Sequence, residues 1–366
     1  MRSKFNEIFE TTLTENYDLI CLSETWLNDE FLNSDLFDDR YEVFRKDRDF
    51  QQTGLSRGGG VLIAAKKYLK AKLVSHFYYA GESIWIKLCL NNCISLYICC
   101  IYFPPSSSID LFQEFYDVVD EHLSNINNII IVGDFNLPSF NWQDCTSTDN
   151  SLLVHDFICF LHLHKFNQFN TIVNFMNRIL DLLLVKLDRY NVSVTQPLIP
   201  ISSEDNYHPA LLITLNRSAK ILNCKYESFD PIMHSYNFKK ANFNLLYTLL
   251  ILVDWNFLNQ YHCINMALEQ FYNVLYDIFD VCVPKNITYK RKYPIWFNKT
   301  IINNIKLKNF HLRKFKKFNR LHDLECFKSI RQNIKSDIRT ARKNYTDFLE
   351  RSLKLNPKTF WSYYRN

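Results

Sequence analysis

The sequence predicts a two-layered α/β sandwich over residues 1–215, followed by a basic, mainly helical tail. Two observations carry this. Strand-like apolar runs are numerous and often adjacent, with only about three helical stretches among them, which argues against a regular βαβ repeat. After residue 216 the texture changes to long amphipathic and basic segments.

Taken in order, Phe5, Ile8, Phe9 and Leu13 recur at helical spacing within Lys4–Glu15. The run from Asp18 to Ser23 reads as a short buried strand ending at Glu24, and Tyr41–Arg45 as another. Arg57–Gly60 marks a turn before a strand at Val61–Ala65. Ile84, Ile86 and Leu88 alternate within Ser83–Leu90, and Ile94–Tyr102 is a further strand closed by Pro104 and Pro105. Leu111, Phe115, Val118, Val119 and Leu123 give a helix over Asp110–Leu123, and Ile129–Val132 is a buried strand stopped by Gly133. Leu152–Leu163 reads as a helix, and Ile179–Val185, Ser193–Ile199 and Ala210–Leu215 as strands. In the tail, Phe271–Val281 is amphipathic, and basic helices run from Trp296 to Trp361, punctuated by Pro294 and Pro357. The expected domains are therefore 1–215, a helical connector at 216–290, and a basic helical segment at 291–366.

Bulk properties narrow the function classes. Net charge is +5, yet residues 285–366 hold 22 Lys and Arg against 5 Asp and Glu, leaving an acidic body. Such asymmetry fits a nucleic-acid-facing arm, for which Lys314, Lys316, Lys317, Arg339 and Arg342 are the candidate contacts; it also fits a solvated lysine-rich helix face. The 11 cysteines sit mostly in apolar runs, as Cys89, Cys99 and Cys100 do, and form no zinc-module pattern. Buried thiols in a reducing compartment fit better. The polar start, Met1–Glu10, carries no signal-peptide pattern, and no apolar run reaches about 18 residues, so the expectation is a nuclear or cytoplasmic protein with no membrane partner.

The polar residues that interrupt apolar runs are the candidates for chemistry. Glu24 ends the first strand; a hard cation wants rigidly held oxygen ligands of this kind, although a turn carboxylate reads the same way. Ile129-Ile-Ile-Val-Gly-Asp134-Phe-Asn136 drives a buried strand straight into Gly, Asp and Asn. Asp134 can orient or activate a water and Asn136 can donate to a phosphate oxygen; an Asp/Asn turn is the plain alternative. Asp181 interrupts an apolar run, so it needs a partner such as a charged histidine or backbone N–H groups. Asp205 and His208 fall together just before a strand, where a protonated imidazole can hold a phosphoryl oxygen, or where His before Pro209 is simply a turn residue. Tyr102 also ends a strand, and its phenol can meet a phosphate or merely pack.

Taken together and in this order, these residues resemble the endonuclease/exonuclease/phosphatase superfamily, and within it the apurinic-endonuclease-like domain of jockey- and CR1-like non-LTR retrotransposons. The resemblance rests on Tyr17-Asp-Leu-Ile-Cys-Leu-Ser-Glu24, Arg57-Gly-Gly-Gly-Val61, Ile101-Tyr-Phe-Pro-Pro105, Val132-Gly-Asp-Phe-Asn136 and Asn177-Arg-Ile-Leu-Asp181. Tyr236–Asn242, Pro294–Phe297 and Asn356–Trp361 look like the connector toward a reverse transcriptase whose polymerase motif lies outside this chain. The resemblance implies a four-layered α/β sandwich, two packed mixed sheets flanked by helices. It implies Mg²⁺ or Mn²⁺ held by Glu24, with Asp205 completing the site near metal or water. Asp134 would position or activate the water, Asn136 and Tyr102 would hold the scissile phosphate, and His208, oriented by Asp181, would bind the phosphoryl group. The implied reaction is DNA nicking for target-primed reverse transcription, with DNA, and element RNA through the tail, as partners.

Two departures from the family pattern stand out. The family's opening strand, with its metal-shell Asn, has no counterpart before the first helix, which would expose a sheet edge and loosen the metal site. The family's closing Ser-Asp-His pattern is replaced by Asp205-Asn-Tyr-His208-Pro209, where a gapless match would put Tyr207 in the His place and a one-residue shift restores His208. The competing expectations are a catalytically decayed retroelement fragment and a nucleic-acid-binding adaptor. A phosphoinositide or sphingomyelin phosphatase is the remaining superfamily option, against which the connector-like tail argues.

Overall fold

The computed structural model describes residues 4–49, 58–90, 94–142, 146–147, 151–187, 190–217, 232–261, 264–289, 293–355 and 357–358. Arg57 and, from the Asn356–Trp361 motif, all but Pro357 and Lys358 lie outside the described residues.

The chain opens with helix α1 (Phe5–Thr14), strand β1 (Leu19–Ser23), a short α2 (Asn33–Leu36), β2 (Tyr41–Lys46) and β3 (Val61–Lys66). Then come β4 (Lys72–Leu73), β5 (Glu82–Leu90), β6 (Ile94–Tyr102), α3 (Ile109–Leu123) and β7 (Asn128–Asp134). Short β8 (Phe140–Asn141) and β9 (Thr146–Ser147) precede α4 (Leu152–His164), β10 (Asn167–Gln168), β11 (Asp181–Leu187), β12 (Tyr190–Thr195) and β13 (Leu212–Arg217). Most expected elements recur within a residue or two. The later strands are shifted, so that Asp181 opens β11 instead of lying inside it.

Two sheets form the centre. The six-stranded one runs β10-β11-β7-β6-β5-β4 and is mixed, because β6 and β7 pair in parallel while its other pairs are antiparallel. The second is the antiparallel set β1-β3-β2. Between them lies one apolar core. Val61, Ile63 and Ala65 of β3 face Ile84, Ile86, Ile98 and Cys100 of β5 and β6, and the β12–β13 ribbon adds Val192, Val194, Ile213 and Leu215. Every residue of β3 is buried, as expected for a strand paired on both edges and covered on both faces.

Helices close the two outer faces. α3 and α4 cover the six-stranded sheet through Phe112, Phe115, Phe157 and Phe160, with aromatic contacts such as Phe103 on Phe112 at 3.8 Å between centroids. α3 starts where it does because the Ser108 side chain accepts the Leu111 N–H. α1 and α2 cover the smaller sheet through Ile8, Leu36 and Phe37 against Ile20, Leu62 and Ala64. The result is a four-layered α/β sandwich.

One glycine is demanded by this packing. Gly133 lies in register with Ile101 across the parallel β6–β7 pair, and a Cβ placed on it would stand 1.8 Å from the Ile101 carbonyl oxygen. Gly133→Ala must therefore push two central strands apart. Overpacking of this kind costs about 1–3 kcal/mol or more; chemical denaturation should show a loss at the upper end of that range.

The compact unit that holds the sandwich, Met1–Cys224, also contains Tyr293–Asn366. There α7 (Lys299–Phe318) and α8 (Leu321–Leu355) form a hairpin, turned at Asn319 in the left-handed conformation (φ 50°). It packs on the outer side of α1, where Phe9 and Leu13 meet Phe297, Ile301, Ile305, Ile334 and Ile338. Polar pairs reinforce the seam. Arg339 Nη2 donates to Glu10 Oε2 at 3.2 Å, and the fully buried Lys308 ammonium donates to Glu15 Oε1 at 2.6 Å and to the Thr14 carbonyl at 3.2 Å.

A second unit comprises Lys225–Lys292. Its strands β14 (Ile232–Tyr236) and β15 (Lys285–Tyr289) pair antiparallel, and its helices α5 (Phe243–Leu252) and α6 (Ile264–Cys282) share a small core of Leu246, Ile278, Cys282 and Val283. α5 is apolar along most of its length. Among the described residues no helix is long and apolar enough to cross a membrane.

Candidate metal and phosphate site

Strand register builds the site. Tyr102 is the last residue of β6 and lies opposite Asp134, the last of β7; Asp134 in turn lies opposite Asp181, the first of β11. Three of the candidate side chains thus occupy one rung across three neighbouring strands, at one end of the sheet. Directly paired residues share a face, so these groups are forced together by the ladder itself.

The turn after β7 fixes Asp134. Its Oδ1 accepts the Asn136 backbone N–H at 3.0 Å, and its Oδ2 accepts from the Asn136 amide at 2.8 Å. Asn136 sits at φ 47°, a left-handed conformation that Asn tolerates. Its amide also donates to the Phe103 carbonyl at 2.8 Å, so both amide hydrogens have partners here. Backbone bonds from Phe103 N to Asp134 O (2.9 Å) and from Phe135 N to Leu180 O (3.0 Å) tie this turn to the strands on either side.

His208 arrives from the loop before β13. Its Nδ1 is 3.0 Å from Asp181 Oδ2, and its Nε2 is 3.9 Å from Asp134 Oδ2. Asp205 shapes that loop, since its Oδ1 accepts the N–H groups of Tyr207 and His208, both at 2.8 Å. The Tyr207 ring turns outward against Phe175. Glu24, just past β1 on the other sheet, sits at φ 51° and accepts the Tyr102 hydroxyl. Donor atoms of Asp134, Asp181 and His208 all lie within 4.8 Å of one another. Glu24 and Asp205 are outside that set, but their charges act on it.

Electrostatics follow from this crowding. Burial, then the neighbouring Asp181 charge, pushes the Asp134 carboxyl up to about 8, against the opposing pull of His208. Burial likewise raises Asp181, offset by its hydrogen bond to His208. That hydrogen bond is the main reason the His208 imidazole rises to about 9, despite its partial burial. The Tyr102 phenol is held far above its ordinary range by burial and by Glu24. Carboxylates that resist ionising together, facing one end of a sheet with oxygen donors, are the chemistry a divalent cation offsets. The residues present fit such an ion.

The His208 shift is testable without turnover. In EDTA, its imidazole should titrate near 9 by NMR, identified by difference from His208→Asn; Asp181→Asn removes the main cause and should lower the midpoint. Because the folded value is raised, the stabilisation from charged His208 is complete below its unfolded value of about 6.5. It disappears as pH rises through about 9.

Several supporting residues had no sequence signal. Arg48 is buried, ion-pairs with Glu82, and lies 5.7 Å over the Tyr102 ring. Glu82 Oε2 also accepts the Gly60 N–H at 2.7 Å. The Gly58–Gly60 turn then bonds to the Glu24 segment, with Gly60 O accepting from Thr25 N (3.1 Å) and Gly59 O from Trp26 N (2.9 Å). Gly59 (φ 68°) has no room for a side chain, as a Cβ would stand 2.2 Å from Arg48 Nε. Asn170, also buried, donates to the Asp181 carbonyl at 2.7 Å.

The tail cations fall elsewhere, on the α7–α8 hairpin. Lys316 and Lys317 are exposed, Lys314 lies 4.5 Å over the Phe310 ring, and Lys317 5.1 Å over Phe318. Arg339 is engaged with Glu10, and Arg342 lies 4.2 Å over the Phe9 ring, so these two fasten the hairpin to α1.

Comparison with known proteins gives a family match over residues 3–203, to the model described as the endonuclease/exonuclease/phosphatase family. No curated protein matches. Among solved structures, the endonuclease domain of TRAS1, a telomere-specific non-LTR retrotransposon, is 12% identical with a TM-score of 0.42, over 58% of this chain and 91% of that one. The 3′ phosphatase NExo from Neisseria, solved with a product DNA hairpin, is 13% identical (TM-score 0.40; 59% and 95% covered). The human Nocturnin catalytic domain with a bound sulfate anion is 16% identical (TM-score 0.40; 59% and 87% covered). With more than half of its length matched by the family model, and a four-layered sandwich carrying carboxylates and an imidazole at one sheet end, this chain belongs to the endonuclease/exonuclease/phosphatase family.

Proposed function

We propose that the chain is a metal-dependent phosphodiesterase that nicks DNA, serving target-primed reverse transcription in a retroelement. The observation that carries this is the rung Tyr102–Asp134–Asp181 with His208 against it. Glu24, with Asp205 nearby, and the free lone pairs of Asp134 would hold Mg²⁺ or Mn²⁺, which supplies charge neutralisation at the phosphate when bound. Asp134, its carboxylate aimed by Asn136, takes or orients the proton of the attacking water. His208, kept protonated by Asp181, donates to the phosphoryl oxygen as negative charge builds. Tyr102 gives its one hydroxyl hydrogen to Glu24, so it holds that carboxylate in place and reaches the scissile phosphate only by releasing it. Asn136, with both amide hydrogens already used, acts through Asp134 and reaches the phosphate only by releasing one of them.

DNA is the substrate favoured by the motif order of the nuclease region and by the basic hairpin. Element RNA would meet the exposed lysines Lys316 and Lys317, and a reverse transcriptase would follow in the full-length element. The domains proposed on this reading are the nuclease at 1–215, the connector at 216–290 and the basic segment at 291–366, with the nuclease and basic segment sharing one compact unit.

The test is supercoiled plasmid nicking with Mg²⁺ or Mn²⁺. Conversion to open circles that EDTA stops supports the reading. A folded protein that binds DNA and never nicks it would replace the enzyme by the adaptor or decayed-fragment alternative.

A further inference from the structure

We propose that Phe175 and Tyr207 form an aromatic wedge that engages a base step of duplex DNA beside the phosphate to be cut. The inference rests on the phosphodiesterase reading above and adds a binding surface to it. Both rings are solvent-exposed, 58% for Phe175 and 53% for Tyr207, yet they meet each other edge to face, with centroids 4.8 Å apart. Scattered exposed apolar residues are ordinary. A paired set on two different loops, each held by its own polar clamp, is not scattered.

The clamps are specific. Asn174 is buried; its Oδ1 accepts the N–H groups of Met176 (2.9 Å) and Arg178 (3.0 Å), and its own N–H donates to the Arg178 carbonyl at 2.8 Å. That closes a tight turn with Phe175 and Met176 at its outside, Met176 being 51% exposed. Phe175 N–H donates to the Asn206 carbonyl at 3.1 Å, joining this turn to the loop that carries Tyr207 and His208. Asp205 holds that second loop through the N–H groups of Tyr207 and His208. The wedge is thus one residue from the imidazole assigned to the phosphoryl group, and both of its loops are fixed before any ligand arrives. Preformed rings lose little freedom on binding.

The chemistry of this rim suits a nucleic acid. Nucleobases offer flat π faces to aromatic side chains. Apolar and aromatic wedges also enter unstacked base steps from the minor groove. Arg178, exposed at the end of the turn, adds a cation for the neighbouring phosphates.

The experiment uses the full chain, Phe175→Ala, Tyr207→Ala and the conservative Tyr207→Phe. Binding to a duplex carrying 2-aminopurine is followed in EDTA, so that no cleavage occurs. Turnover with Mg²⁺ is then compared on duplex DNA and on bis(p-nitrophenyl) phosphate, a diester without bases. The expected result is a 2-aminopurine fluorescence rise for the wild type, and about 10-fold weaker binding for each alanine variant. The alanine variants should also lose more activity on DNA than on the small diester, through KM, with Tyr207→Phe close to wild type. The wedge is overturned if the wild type gives no fluorescence change, if the alanine variants bind like the wild type, or if both substrates suffer equally. A wild type that cleaves neither substrate defeats the phosphodiesterase reading, and the binding arm then judges the wedge alone.

Discussion

Asp134→Asn is expected to lower the nicking rate by roughly 10²–10⁴-fold, the range for removing a positioned acid–base group. The substitution is nearly isosteric, and the carbonyl oxygen of the new amide can still accept the Asn136 N–H; the Asn136 side-chain amide loses its Asp134 acceptor but keeps the Phe103 carbonyl, so the turn after β7 should survive. What disappears is a negative charge only 1% exposed and flanked by Asp181 and His208. Three consequences separate this from a folding defect. Thermal stability in EDTA should hold or rise, because a carboxylate that resists ionisation is replaced by a neutral group. The Mg²⁺ concentration for half-maximal rate should increase. The His208 midpoint should fall, since the Asp134 charge helps to raise it. In the metal-free wild type, the raised Asp134 value means the fold binds an extra proton between its unfolded value near 4 and about 8, so stability should decline across that window. Circular-dichroism melts at stepped pH, with and without Mg²⁺, would show whether the ion reverses the decline.

The second large effect concerns the hairpin. Lys308→Ala should destabilise the sandwich unit by about 3 kcal/mol, the lower end of the range for breaking a buried ion pair from one side. Lys308 is fully buried and its ammonium has two partners, the Glu15 carboxylate and the Thr14 carbonyl at the end of α1. Removing it strands Glu15 and opens a cavity under α7. The lower end applies because the Glu15 side chain keeps 19% of its surface in water. Since the site's Glu24 follows α1 and β1, the loss should appear as one cooperative urea transition at lower midpoint, not as separate melting of the tail. Two separated transitions, or an unchanged midpoint, would show that the hairpin is energetically independent of the sandwich.

How much of this could be read in advance depends on the range of the interaction. Alternation at Ile84, Ile86 and Leu88, the apolar run Ile129–Val132, and the helical spacing of Leu111–Leu123 are local patterns, and each became the expected element. Asp134 was conspicuous because a buried strand leads straight into it, and Asp181 because it interrupts an apolar run. Arg48, Glu82, Asn170 and Lys308 were invisible for the opposite reason. Each is polar in a polar-looking stretch, and only a partner distant in sequence makes its burial tolerable.

The basic tail shows the same division. Its charge was plain from composition, and its helices from spacing. That Arg339, Arg342 and Lys308 spend their charge on α1, while Lys316 and Lys317 face solvent, depends on which helix face meets Phe9 and Leu13. Periodicity decides that a helix has an apolar side; it does not say what that side will touch.

By itself, then, the order of residues determined the sandwich class, the strand ends that carry acids, and the sign of the tail's charge, because propensity, alternation and composition act within a few residues. Tertiary structure decided that Tyr102, Asp134 and Asp181 share one rung, that His208 and not Tyr207 turns toward them, and that the hairpin braces α1. Those outcomes are set by strand register and by the need to pair buried charge, and both are properties of segments brought together only when the chain folds.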